Sequence, residues 1–169
     1  MVNLIRYDNT GTARFVTFSC YRRLRNFASD KNKAIFIEYL QDMRRRHAVR
    51  LYGYVIMLTH AHLVLHPIGT IKLSVIIGQL KSLSARAVFA SLPGERRGEG
   101  VFWQRRYYDH NCRQPKYVVE KIRYCHNNPV VAGLVSHPSE WQWSSYNWYH
   151  GQTNVPIEMD EFDVPIEQA

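Results

Sequence analysis

The middle of the chain carries two β-forming stretches that follow each other almost directly, with a helical pattern on either side. Val49–Met57 and Ala61–His66 alternate as strands do, and the short Leu58-Thr59 turn joins them. Apolar residues at helical spacing predict one helix from Asp30 to about His47 and another from Thr70 to about Leu92. The sequence therefore predicts a strand pair between two helices, which leaves few architectures open.

Two further β-forming stretches and a last helix complete the pattern. Ala13–Tyr21 predicts a strand before the first helix, and Val101–Tyr108 predicts one after the second. The last helix should begin at Pro115, because proline suits a first turn, and should end at Pro129. The order β-α-β-β-α-β predicts an α+β, ferredoxin-like fold. Such a fold has an antiparallel sheet with helices on one face, and here an extra C-terminal helix is added.

Charge is distributed unevenly along the 169 residues. All 22 lysines and arginines, but only nine of the 14 acids, lie in residues 1–150, which therefore carry a net charge of +13. Residues 151–169 carry a net charge of −5 and form a predicted acidic tail behind a single domain of residues 1–150. A basic body with interleaved aromatics favours a nucleic-acid partner, although a solvated basic surface is an equally ordinary explanation. The tail could be a solubilising end, or it could fold back over the basic surface.

Other features of the composition exclude some classes of protein. No apolar stretch approaches the roughly 20 residues of a membrane span, and the N-terminus has no signal-peptide hydrophobic region, so we expect no membrane partner. The odd number of three cysteines, at no metal-like spacing, is most simply explained by free thiols in a reducing compartment. A cytoplasmic protein is therefore expected.

His60 and His62 are the strongest candidates for metal ligands. Histidines two apart on a strand project from the same face, so both imidazoles can reach one ion. Such pairs also arise without any metal, and taken alone this pair is weak support for a metal site. His66, His110 and His126 lie in reach of the same region, but each is more often a hydrogen-bonded structural residue than a ligand.

The last helix supplies a second pair of candidates. Tyr124 and Asn128 are four residues apart and so share one helical face, in a run rich in cations. A phenol needs cationic or metal help to act as a nucleophile at neutral pH, and a divalent ion on a phosphate oxygen would supply that help. Asn128 offers the oxygen ligand that a hard ion prefers. Two imidazoles and one amide form a softer site than is usual for Mg²⁺, so Mn²⁺ should bind better.

Basic and aromatic residues close to these candidates are the expected contacts with nucleic acid. Those predicted to meet phosphates are Arg105, Arg106, Arg113 and Lys121, and Tyr107 is a candidate for stacking on unpaired bases.

Taken together, four stretches of the chain resemble the REP-associated tyrosine transposases, a group of single-tyrosine HUH transposases related to those of small insertion sequences. The stretches are Trp103–His110, Tyr124–Val130, Ala132–Val135 and Trp141–Tyr146. The resemblance implies that His60 and His62 are paired metal ligands, that Tyr124 is the nucleophile and that Asn128 is the third ligand. It also implies cleavage of single-stranded DNA beside imperfect hairpins, which leaves a 5′ phosphotyrosine and a free 3′ hydroxyl.

Several positions depart from or extend this resemblance. Alanine stands between the histidines in place of a bulky hydrophobic residue, and Leu58-Thr59 replaces the usual Pro-Asn before them. Cys125 replaces a branched apolar residue beside the tyrosine. Asp109 and His110 recur in the family, and we interpret them as residues that support the ligands or the fold rather than as ligands.

Two other functions remain open at this stage. A domesticated transposase could keep hairpin DNA binding without catalysis, although it would not need His60, His62, Tyr124 and Asn128 together. A small metal-dependent hydrolase would use water as its nucleophile and form no covalent adduct. A homodimer is possible, in which Tyr124 could act at its own metal site or at that of a partner subunit.

Overall fold

The computed structural model of the chain describes residues 11–92 and 100–162, and these form one sheet covered on both faces by helices. The strands are β1 (Ala13–Ser19), β2 (Val49–Ile56), β3 (His60–Pro67) and β4 (Tyr108–Cys112). The helices are α1 (Asp30–His47), α2 (Leu73–Ser91), α3 (Pro115–Val131) and the single turn α4 (Tyr146–Tyr149).

The sheet has the order β2-β3-β1-β4, and every neighbouring pair of strands is antiparallel. Strand β1 lies between β3 and β4, with Phe15 opposite Val64 on one side and opposite His110 on the other. Together with the helices that follow β1 and β3, this order confirms the predicted ferredoxin-like α+β fold.

The side chains on the two faces of the sheet pack into two separate apolar cores. Val16 and Phe18 of β1 pack with α1 and α2 in the larger core, whereas Ala13 and Phe15 pack with α3 in the smaller one. Because strand residues alternate between faces, β1, β2 and β3 each contribute residues to both cores. The extra helix α3, whose presence was predicted, therefore lies on the face opposite α1 and α2.

The predicted fourth strand is wrong in its position. The structure places it at Tyr108–Cys112, and of the segment Val101–Tyr108 only the last residue belongs to it. Phe102 and Trp103 of that segment are buried in the larger core, and Trp103 makes only an isolated bridge with Cys20. Their β-forming character thus reflects burial of aromatic side chains, not a place in the sheet.

Helix α3 also continues past the proline that was expected to end it. Pro129 lies inside the helix, which ends at Val131. A proline this close to the end removes one backbone hydrogen bond but leaves the last turn intact. The carbonyls of Asn128 and Pro129 accept from the backbone amides of Ala132 and Leu134, each at 2.9 Å.

Residues beyond 150 return to the body of the protein. Ile157 and Met159 are buried in the larger core, and the Asp160 carboxylate accepts hydrogen bonds from Arg44 and from the backbone amide of Leu51, each at 2.7 Å. The described part of the acidic tail thus folds back onto α1 and β2, and residues 163–169 lie outside the described residues.

Two expectations from composition can also be compared with the structure. All three cysteines are free thiols, as predicted, and all are buried. Among the described helices, α2 is long and apolar enough to cross a membrane by length and composition alone. Its residues Leu73, Ile76, Ile77 and Leu80 are buried in the larger core.

Candidate active site

The two histidines of β3 lie side by side at the start of the strand, on the face covered by α3. Their ring centroids are 4.7 Å apart, with the planes nearly perpendicular. A threonine hydroxyl contacts the Nδ1 atom of each ring, Thr59 at 3.0 Å from His60 and Thr17 at 2.6 Å from His62. With both Nδ1 atoms engaged in this way, the Nε2 atoms are the ones that could bind a metal ion.

Burial keeps both rings neutral. It lowers the pKa of His60 to about 4, with a smaller contribution from the positive charge of Arg23. The pKa of His62 falls to about 3, first through burial and then through the charges of His60 and Arg23. A neutral imidazole is the form that binds a metal ion, so the pair is ready to act as ligands at neutral pH.

Helix α3 brings Tyr124 and Asn128 to the same place. Val118, Ile122 and Cys125 are buried against the sheet, and the close approach of the helix depends on Gly53 of β2. A Cβ atom on Gly53 would lie 3.0 Å from Cγ1 of Ile122. With that stripe facing inward, Tyr124 and Asn128 share an adjacent face that points toward the histidines.

The distances bring all four predicted residues together. The ring of Tyr124 lies edge-on to His62, with 5.2 Å between centroids, and the Asn128 amide nitrogen is 3.4 Å from Nε2 of His62. Tyr124 remains 48% exposed, whereas His62 is only 4% exposed. A histidine pair, of which His62 is buried and His60 half-buried, therefore lies beside an accessible phenol, and a single chain supplies every member of the set.

Phe15, which the sequence analysis did not single out, organises this group. Its ring stacks on His62 with 5.4 Å between centroids and meets Tyr124 edge-on at 5.7 Å. The Lys121 ammonium group lies 5.4 Å from the centroid of the same ring. Nothing in the sequence marks Phe15 except its place on a strand, because its partners come from β3 and α3.

The donor set fits a divalent metal ion. In the described parts of the chain, no group of three histidine, cysteine or carboxylate side chains gathers at one point, so a third donor of another kind is required. Asn128 is placed to supply it, since rotation of its amide exchanges nitrogen and oxygen at the position next to His62. Two neutral imidazoles with one amide oxygen suit a divalent ion such as Mn²⁺.

A comparison with known protein families gives one match that covers most of the chain. The family model described as IS200-like transposase matches residues 9–128, which include all four site residues. The chain belongs to this family.

The chain is also similar to individual proteins in sequence and in fold. A Haemophilus influenzae protein that carries the name REP-associated tyrosine transposase is 26% identical over 135 residues, which cover 70% of this chain and 74% of the relative. A solved REP-associated tyrosine transposase bound to a REP hairpin matches with a TM-score of 0.76 at 20% identity, over 98% of this chain and 94% of that one. A transposase structure from Deinococcus radiodurans R1 matches with a TM-score of 0.51 at 17% identity, over 75% and 95%. The resemblance to REP-associated transposases is thus confirmed.

The residues of this transposase that were predicted to contact DNA lie in different places. Arg105 and Arg106 are exposed and follow Gln104, whose backbone amide bonds the carbonyl of Ser19 at 2.8 Å, at the end of the sheet where His60 lies. Lys121 lies one turn before Tyr124 on α3, beside the site. Arg113 precedes the first turn of α3 and is therefore separated from Tyr124 by about 14 Å of helix.

Tyr107 does not have the exposure that was expected of a base-stacking residue. Its ring is half-buried against the larger core. The neighbouring Tyr108 is 53% exposed and lies opposite Thr17, on the face of the sheet that carries His62. The structure therefore offers Tyr108 as the accessible aromatic side chain at this edge.

The remaining candidates have structural surroundings. Asp109 lies on the sheet face opposite the histidines. Its carboxylate accepts a hydrogen bond from Nε of Arg14 at 2.9 Å and forms an ion pair with the same side chain. His110 shares the face of Phe15 but lies on the other side of it from His62. His66 is 3.3 Å from the Tyr52 hydroxyl, and Nε2 of the buried His126 is 2.9 Å from the Ser145 hydroxyl. Of the predicted histidines, His62 contacts Tyr124 and His60 contacts His62.

Proposed function

We propose that this IS200-like transposase nicks single-stranded DNA beside a hairpin through a covalent tyrosine intermediate, with the help of a divalent metal ion. The observation that carries the proposal is the position of Tyr124: its ring is 5.2 Å from that of His62, while Asn128 reaches His62 from the next turn. An exposed phenol beside a potential metal site has the geometry for attack on phosphorus.

In the proposed step, the Tyr124 oxygen forms a bond to the scissile phosphorus while the bond from phosphorus to the 3′ oxygen breaks. The phenol proton passes to solvent, and the departing 3′ oxygen takes a proton to become a free hydroxyl. The protein stays on the 5′ phosphate. A bound divalent ion would polarise the phosphate and hold it in line for attack.

The residues around Tyr124 have defined tasks in this step. His60, His62 and Asn128 would hold the ion, and the Thr17 and Thr59 hydroxyls orient the two rings. The phosphotyrosine conserves the energy of the broken bond, so Tyr124 can pass the strand to a new 3′ hydroxyl without a nucleotide cofactor.

Hairpin DNA is the proposed partner. The net charge of +13 in residues 1–150 suits a phosphate backbone, and a structural neighbour with the same fold was solved with a REP hairpin. A DNA substrate places the protein at the nucleoid in the cytoplasm. One chain holds all four site residues, so the proposed chemistry does not require a homodimer.

Two other functions compete with this proposal. A domesticated protein that only binds hairpins would keep the basic surface but would form no adduct. A metal-dependent hydrolase would cut DNA with water, and the exposed Tyr124 would have no role. The position of Tyr124 next to the ligand pair favours strand transfer over both.

The test is adduct formation by Tyr124→Phe. Wild-type protein should give a denaturant-stable band with single-stranded hairpin DNA and Mn²⁺, and the band should disappear on addition of a chelator. Tyr124→Phe removes one oxygen from an exposed ring, so the band should vanish while hairpin affinity and folding stay the same.

Tyr117→Phe is the matched control, because Tyr117 is also exposed on α3 but lies about two turns away from Tyr124. This variant should form the adduct as the wild type does. A covalent band that persists in Tyr124→Phe, or DNA cleavage by the wild type without any adduct, would contradict the proposal.

A further inference from the structure

The turn that follows β1 has an unusual backbone conformation next to the candidate active site. Arg22 and Arg23 both have left-handed φ angles, +51° and +59°, which side chains with a Cβ atom rarely adopt. Two such residues in succession persist only where the surroundings hold them, and strained positions of this kind concentrate at functional sites.

Backbone hydrogen bonds hold this turn from three sides. The Cys20 amide bonds the carbonyl of Thr59 at 2.8 Å, immediately before His60, and the Tyr21 amide bonds the carbonyl of Phe102 at 2.9 Å. Within the turn, the Arg23 amide bonds the carbonyl of Cys20 at 3.0 Å. The turn is therefore built against the start of β3, the strand that carries both histidines.

This backbone directs Arg23 toward the site. Its Nη1 atom donates to the Ser19 hydroxyl at 3.3 Å, and Ser19 lies opposite His60 in the sheet, on the face that carries the ligand pair. Arg23 thus adds a positive charge to a group of neutral side chains.

Arg23 differs in its partners from three arginines of the chain that form ion pairs. Arg14, Arg44 and Arg46 each bind a carboxylate. Within residues 11–92 and 100–162, no ion pair to a carboxylate includes Arg23, whose side chain is exposed. An exposed guanidinium beside a metal-binding pair is suited to an anionic ligand, and its planar fork matches phosphate oxygens.

We propose that Arg23 binds a non-bridging oxygen of the scissile phosphate and stabilises the charge that develops there when Tyr124 attacks. This assignment rests on the proposed function. It also accounts for the left-handed turn. An extended backbone would carry the Arg23 side chain further along β1, whereas the turn brings it back to Ser19. Arg22 of the same turn lies over the Tyr21 ring instead, with its guanidinium carbon 5.3 Å from the ring centroid.

The test compares Arg23→Ala and Arg23→Gln with Arg46→Ala. Arg46 is an exposed arginine on α1, so its removal costs the same charge away from the site. We would measure the single-turnover rate of adduct formation at saturating hairpin DNA with Mn²⁺, together with the dissociation constant for the DNA. Both Arg23 variants should lose about 10²- to 10³-fold in rate, which is typical for removal of one charge-stabilising donor. Their affinity for DNA should stay close to that of Arg46→Ala.

A substrate with a methylphosphonate at the cleavage position makes the test specific, because methyl replaces one charged oxygen. One diastereomer should slow the wild type but should slow the Arg23 variants no further, since the contact it removes is already absent. Should Arg23→Ala fail to fold, Arg23→Gln decides, because glutamine keeps a long polar side chain with a hydrogen-bond donor and removes the charge.

The possible outcomes separate this assignment from the proposed function. An Arg23 variant with the rate of Arg46→Ala overturns the assignment, and so does one that loses affinity but not rate. The assignment is also wrong if the methylphosphonate slows the Arg23 variants by the same factor as the wild type on both diastereomers, so that the two rate losses multiply. In each of these cases, formation of the adduct by the wild type would still support the proposed function. A wild type that forms no adduct with any hairpin substrate overturns both.

Discussion

Thr17→Val tests whether the hydroxyl beside His62 prepares the metal site. Valine has nearly the shape of threonine and favours strands, so the substitution removes little except the oxygen that lies 2.6 Å from Nδ1. His62 is almost completely buried, and its Nδ1 atom would lose its partner in a place that water reaches poorly. A buried polar group without a partner costs about 1–3 kcal/mol.

Part of this cost should appear in metal affinity. With a metal ion on Nε2, the proton of the neutral His62 ring lies on Nδ1, where the Thr17 oxygen can accept it. Loss of a partner that orients a ligand typically weakens metal binding by about 10- to 100-fold. That factor corresponds to about 1.4–2.8 kcal/mol, which agrees with the range expected from the unsatisfied nitrogen.

The assay is a Mn²⁺ titration followed in two ways, by the stabilisation that the ion gives against thermal unfolding and by the rate of adduct formation. Thr12→Val is the matched control, because the Thr12 hydroxyl bonds Asn111 at 2.5 Å at the other end of β1. Thr17→Val should need about 10- to 100-fold more Mn²⁺ for half-maximal rate, and Thr12→Val should need no more than the wild type. Equal Mn²⁺ requirements for the two variants would refute the idea that Thr17 orients His62.

Two further predictions concern the elements that support the site. Gly53→Ala would place a Cβ atom 3.0 Å from Cγ1 of Ile122 and should therefore push α3 away from the sheet. The variant should lose about 1–3 kcal/mol of stability and form the adduct more slowly. A urea unfolding midpoint equal to that of the wild type would contradict this prediction. Burial, followed by the charge of His150, lowers the pKa of His126 to about 3. The unfolded chain therefore takes up a proton below about pH 6.5 that the folded chain refuses, and His126 alone should cost about 1.4 kcal/mol of stability per pH unit from there down toward pH 3. Urea midpoints at several pH values should show a shallower decline in His126→Gln, and an unchanged slope would argue against this account.

The sequence was sufficient for features whose physical cause is local. Alternation within strands and helical spacing depend only on neighbouring residues, so the order of elements and the ferredoxin-like fold could be predicted. The same two rules place His60 with His62 on one strand face, and Tyr124 with Asn128 on one helix face. Each half of the site was therefore visible in the sequence before the fold was known.

The sequence was misleading where burial of a side chain in the core competes with pairing of its segment in the sheet. Phe102 and Trp103 have β-forming side chains, yet they fill the larger core outside the sheet. The true fourth strand, Tyr108–Cys112, consists largely of polar residues and owes its place to pairing with β1 and to the Arg14–Asp109 ion pair. Tyr107 was misjudged for the same reason, since its exposure depends on which neighbours bury it.

The tertiary structure alone decided how the two halves meet. Gly53 lets α3 approach the sheet closely enough for Tyr124 to reach His62, and the Phe15 ring contacts both of these rings. Thr17 and Arg23 join the site through contacts across strands and through a left-handed turn, which no spacing rule along the chain describes. Residue types and local periodicity determined which groups could do the chemistry, whereas long-range packing, which depends on the whole chain at once, determined their distances and their supporting partners.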